Sequence, residues 1–115
     1  MSIWTVTAAA LDTLGVPYAA SAFIPASGSD LPDQYLVYTT VSSPSEQQAD
    51  DGETLRSWRV QVSGYDRDGL ANLPDIDAAM VAAGFAKSGK AEIPYNRETR
   101  HFGLAQDYIY LEVQT

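Results

Sequence analysis

The sequence predicts an α+β fold, a small mixed, mainly antiparallel β-sheet with two helices packed on one face. Two stretches place apolar residues at helical spacing, and each ends at a glycine. Other stretches are β-branched and aromatic or alternate between apolar and polar residues, as strands do. The order is helix, two strands, a polar loop, a strand, helix, two strands, which joins neighbouring strands without the regular βαβ alternation of a parallel sheet. At 115 residues, 45% of them hydrophobic, the chain makes one domain over 1–115. A domain of that size buries roughly two-thirds of its unfolded surface and needs no staples.

The first helix follows Ser2, a capping residue, and turns Ile3, Val6, Thr7, Ala10, Leu11 and Leu14 inward. Gly15 stops it and Val16-Pro17 confirms the exit. Tyr18 to Ile24 reads as a short strand closed by Pro25, and Pro25 to Asp33 as a loop of turn formers. Tyr35 to Val41 (YLVYTTV) is β-branched and aromatic on both faces, as a central or doubly covered strand requires. Ser43 to Glu53 has no large apolar residue and is expected to be an exposed, mobile loop or hairpin tip. Leu55 to Gly64 alternates, with Trp58, Val60 and Val62 on one side and Arg59, Gln61 and Ser63 on the other.

The second helix is expected from near Leu73, with Leu73, Ile76, Met80 and Ala83 as its apolar stripe and Gly84 as its end. Phe85 to Tyr95 is expected as a strand, irregular near Gly89 and stopped or bent at Pro94. A last strand runs from about Thr99 to Gln114. Its alternation places Ile109, Leu111 and Val113 on one face and Tyr108, Tyr110 and Glu112 on the face opposite that apolar stripe.

Charge is uneven. The net charge is −8, and residues 1–55 hold seven acids and no Lys or Arg. Such a surface repels nucleic acid, since phosphate binding needs basic side chains. The absence of cysteine excludes disulfides, thiolate catalysis and cysteine-based metal sites. The N-terminus lacks a basic n-region and its apolar run is broken by Asp12, so it fits neither a signal peptide nor a membrane span. The expected setting is a cytoplasm, or a particle assembled there.

No residue stands out for catalysis. The single histidine, His101, lies in RETRHFG beside Arg100 with no local nucleophile motif, and is expected at a surface or edge. The segment from Tyr65 to Asp75 puts Asp66, Asp68, Asn72 and Asp75 at four positions of an EF-hand loop. Gly64, however, falls where the first ligand belongs, and a strand precedes the segment instead of a helix, so a strand-to-helix turn explains it better. Asp75 and Asp77 suit a helix start and diverge around Ile76. Asp50-Asp51-Gly52-Glu53 reads as a turn. No Walker loop, dinucleotide fingerprint, HExxH or GxSxG occurs. No enzyme activity, cofactor or metal is therefore expected. Tyr65, Tyr95, Tyr108 and Tyr110 crowd the second half, and tyrosine serves both interfaces and the second face of a sheet. The candidate partner-binding residues are Glu46, Gln47, Asp50, Asp51 and Glu53 in the polar loop, with Tyr108 and Tyr110 on the last strand.

Several segments together resemble the tail terminator (head–tail joining) family of long-tailed bacteriophages. They are the helix end Leu14-Gly15-Val16-Pro17-Tyr18, the aromatic strand Tyr35-Leu36-Val37-Tyr38 and the strand Trp58-Arg59-Val60-Gln61-Val62-Ser63-Gly64-Tyr65. The helix end Ala82-Ala83-Gly84-Phe85 and the closing Tyr95-Asn96-Arg97-Glu98-Thr99 and Tyr108-Ile109-Tyr110-Leu111-Glu112-Val113 extend the likeness over nearly the whole chain. The resemblance implies a virion structural protein, assembled in the host cytoplasm, that forms a hexameric ring. That ring would cap the tail tube protein and join it to the head connector, while DNA passes through without specific binding. The alternatives are another phage neck or tail-completion protein, or a small non-catalytic calcium- or ligand-binding module.

Overall fold

The computed structural model describes residues 3–25, 30–42, 47–48 and 54–114, with the backbone alone described at 41–42, 47–48, 54–56 and 112–114. The chain runs α1 (Ile3–Asp12), β1 (Tyr18–Ala20), β2 (Gln34–Ser42), β3 (Gln47–Gln48), β4 (Thr54–Asp66), α2 (Ile76–Ala82), β5 (Ala86–Asn96) and β6 (His101–Gln114). The sheet order is β1-β2-β4-β6-β5, with β3 added beside β4. Only the β1–β2 pair is parallel. This is the mixed, mainly antiparallel α+β fold expected from the sequence.

One face of the sheet carries the core. The register aligns Tyr38, Val62 and Gln106, then Val60 with Tyr108, and Trp58 with Tyr110. Leu36, Tyr38, Trp58, Val60, Val62 and Tyr108 are buried there under Ile3, Ala10 and Leu11 of α1 and Ile76 and Met80 of α2. Thr7 is fully buried within α1 because its hydroxyl donates to the Ile3 carbonyl at 2.8 Å. Gly64 lets α2 approach closely, since a β-carbon there would sit 3.1 Å from the Leu73 side chain and 3.3 Å from that of Ile76.

The helices run antiparallel. Trp4 packs edge-on against Trp58 at 5.7 Å, and Asp12 lies beside Tyr18, whose partner Leu36 is level with Gly64. α2 runs the other way, from Ile76 at Gly64 to Gly84 at Tyr110. Gly84, at φ 103, closes α2: its own N–H donates to the Val81 carbonyl and that of Phe85 to the Met80 carbonyl, both at 3.0 Å.

Several boundaries differ from the sequence reading, each for a local reason. β1 stops at Ala20, because Ser21 adopts φ 66 and the Ala22 N–H closes a tight turn onto the Ala20 carbonyl at 2.7 Å. The second helix begins at Ile76 and not near Leu73. Leu73 is extended (ψ 144), as a residue preceding proline prefers, and a 3-10 turn at Leu70–Asn72 comes before it. Asp75 then caps α2 by accepting from the Ala78 N–H at 3.1 Å. In β5 the register shifts between Lys87 and Gly89 and again between Ile93 and Asn96, around Pro94, which an edge strand tolerates. The polar loop from Ser43 to Glu53 lies outside the described residues apart from β3.

No helix among the described residues is long and apolar enough to cross a membrane.

Candidate interaction surface

The two longest strands outrun the rest of the sheet. β2 last pairs with β4 at Ser42–Trp58, and β5 first pairs with β6 at Ala86–Ile109. Beyond those points, residues 54–57 and 111–114 pair with each other, and β3 touches the outer side at Gln47–Leu55 and Gln48–Thr54. The result is a narrow ribbon at one end of a molecule 53 × 28 × 22 Å in extent. A two- or three-stranded ribbon on its own is marginally stable, and among the described residues no helix packs on it.

Two apolar side chains, Ile109 at the ribbon's base and Leu111 on it, lie on the face away from the helices. Ile109 and Leu111 are 36% and 64% exposed, in phase with Asp107 and opposite in phase to buried Tyr108. The sequence separates these two faces but does not say which one the helices cover. The register decides, because Tyr108 and Tyr110 stand opposite Val60 and Trp58, already committed to the core. At the base of the strip Arg59 pairs with Ile109, is itself well exposed, and bonds Asp107 through Nη2 at 3.2 Å. Asp107 also accepts from Gln61 Nε2 at 3.1 Å.

The candidate partner residues fare unevenly. Tyr108 is not at a surface: it is fully buried, and its hydroxyl donates to Asp77 Oδ1 at 2.6 Å. Burial and that hydrogen bond push the phenol far above its ordinary range, so it remains a donor. Tyr110 is half-buried against Phe85, ring centroids 5.0 Å apart. Gln47 is placed by its backbone, paired with Leu55. Glu46, Asp50, Asp51 and Glu53 lie outside the described residues. Tyr65 stacks on Tyr35 at 4.8 Å, and Tyr95 packs on Phe102 at 4.7 Å.

The expectation that His101 sits at a surface or edge is also corrected. It is 1% exposed, edge-on to Tyr35 and Tyr65, and its Nε2–H donates to the Pro32 carbonyl at 2.8 Å. Its Nδ1 is buried with no hydrogen-bond partner among the described residues. The segment between β1 and β2 covers it, bringing Phe23 onto Tyr35 at 5.1 Å. Sequence spacing could not have shown this, because the covering chain is 69 residues away.

The aspartates of the calcium-like segment serve the backbone. Asp66 is buried and accepts from Gln34 Nε2 and the Asp68 N–H, both at 2.7 Å. Asp75 caps α2, and Asp77 turns to the sheet, accepting from Gln106 at 3.1 Å and pairing with Lys90 at 3.0 Å. Among the described residues no three His, Asp or Glu side chains are grouped to hold a metal ion. At the end of the sheet opposite the ribbon, Arg67 bonds Asp33 at 2.8 Å, Asp30 at 3.1 Å and the Thr99 carbonyl at 2.8 Å. It thus ties the β1–β2 connection and the β5–β6 hairpin to the end of β4, a structural role.

A second apolar surface lies on the other side of the molecule. Between the outer sides of α1 and α2 runs an open cleft of about 290 Å³ lined by Val6 and Ala9 of α1, Thr13 just past its end, Ala79 and Ala82 of α2, and Ala83 just past its end. Elsewhere on the helix layer, Trp4 and Val81 are exposed. Because the helices are antiparallel, exposed Asp12 and Asp75 share one end. Compared with protein-family models and with curated proteins, the sequence finds no match.

Proposed function

We propose that this chain is a non-catalytic bacteriophage assembly protein, a tail terminator whose ring caps the tail tube and joins it to the head connector. The observation that carries this reading is the strip at the base of the ribbon, where Ile109 and Leu111 are left exposed among the described residues. An exposed aliphatic strip on a rigid sheet is what a subunit needs in order to bind other proteins. The segments that resemble the tail terminator family also fold into one continuous unit: α1 and its glycine exit, the aromatic β2, the long β4, α2 and the β5–β6 hairpin. A chain acidic throughout its first half suits a ring through which DNA must pass without sticking.

The test is electron microscopy of phage particles made without this chain. Filled heads and separate, unjoined tails are expected. Normal joined particles would remove the reading.

A further inference from the structure

We infer that the chain carries a binding site for an organic cation, a quaternary ammonium or guanidinium group. The site is the cleft that Glu92, Tyr95 and Phe102 line at the end of the sheet opposite the ribbon.

Local geometry builds this cleft. Phe102 pairs with Asp66 and is in phase with Tyr108, so it lies on the face that the helices cover. α2, however, begins at Ile76 over Gly64, which pairs with Leu104, so Phe102 falls past its end and is 40% exposed. β5 supplies the other wall. Glu92 pairs with Leu104 and shares that face. The register break around Pro94 turns Tyr95 onto Phe102, with ring centroids 4.7 Å apart and planes inclined at 48°. Leu70 of the 3-10 turn and Pro94 complete a cleft of about 390 Å³.

The groups around this space select a cation. Tyr95 is 46% exposed, so two half-bared aromatic rings border one cleft. The electron-rich face of such a ring attracts a positive charge within about 6 Å of its centroid. Glu92 is exposed and has no hydrogen bond or ion pair among the described residues. Lys90, two residues away on the same face, is engaged by Asp77 at 3.0 Å. No Lys or Arg lines the cleft, so nothing in it compensates the Glu92 carboxylate. The net charge of −8 adds a field that draws cations toward the chain. Aromatic rings, apolar walls and one free carboxylate match a weakly hydrated organic cation. A metal ion would need several oxygen ligands. A small quaternary amine and an arginine side chain of a partner protein offer the same chemistry.

Titration of the full chain with choline and with N-acetylarginine amide, followed by amide shifts in NMR spectra, tests the site. Saturable shifts in the millimolar range are expected at Glu92, Ile93, Tyr95, Phe102 and Gly103, and the tighter probe names the source. The neutral isostere of choline, with carbon in place of the ammonium nitrogen, should bind at least about fivefold more weakly, because it keeps the shape and loses the charge. Glu92→Gln and Phe102→Leu should each weaken choline binding about threefold or more. Both positions are exposed and leucine keeps the apolar bulk, so unchanged melting temperatures should show that each variant folds. Equal binding of the neutral isostere, or unchanged choline affinity in either variant, overturns the inference in favour of a plain apolar crevice. Shifts confined to the acidic first half of the chain overturn it in favour of counterion association, and so does the absence of a saturable shift with either cation.

Discussion

Asp77 shows how one residue can join two layers. It lies in the first turn of α2 yet points to the sheet, where Tyr108, Gln106 and Lys90 converge on it. Burial alone would raise its pKa, but the Tyr108 hydrogen bond, the bond and charge of Lys90 and the charge of Lys87 outweigh it and hold the carboxyl below its ordinary 3.8. A carboxylate with a depressed pKa stabilises the fold above its unfolded pKa, and that contribution is lost as pH falls through the lower folded value. Asp77→Asn should therefore lower stability at neutral pH, and the gap to the parent protein should shrink as pH drops below about 4, where unfolded carboxyls are protonated. Urea unfolding across pH 2.5 to 7 measures it; a gap independent of pH would contradict the account. Tyr108→Phe removes a donor to a charged acceptor and should cost about 1.5–3 kcal/mol in the same assay. Gly103 is a second sensitive residue. A β-carbon there would lie 2.9 Å from the Ile93 β-carbon and 3.1 Å from the Tyr65 ring, so Gly103→Ala should destabilise by about 1–3 kcal/mol in thermal unfolding.

At the scale of elements, periodicity revealed the parts well where a local rule governs them. α1, its glycine exit, β2, β4 and the irregular β5 were legible because spacing and turn chemistry act within a few residues. The start of α2 depended on Leu73 yielding to Pro74, and there the capping residue was Asp75. Asp75→Ala should cost about 1 kcal/mol, read as a lower denaturant midpoint with an unchanged slope. The facing of β6 was not legible. Both of its faces carry large apolar residues, and only pairing with β4 shows that Tyr108 is inside and Leu111 outside. The candidate site suffered for the same reason, since the tyrosines proposed as contacts proved to be core or half-core. His101 escaped notice because the chain that covers it is distant in sequence.

For the whole molecule, the described residues form one closed core with two exposed apolar surfaces, the Ile109–Leu111 strip and the cleft between the helices. The central claim, that the chain builds a ring at the junction of phage head and tail, is tested most directly by a reconstruction of the virion neck at a resolution that counts chains. The account predicts a closed ring of identical copies between tail tube and connector. A single copy of the chain in the neck, or none, would contradict it.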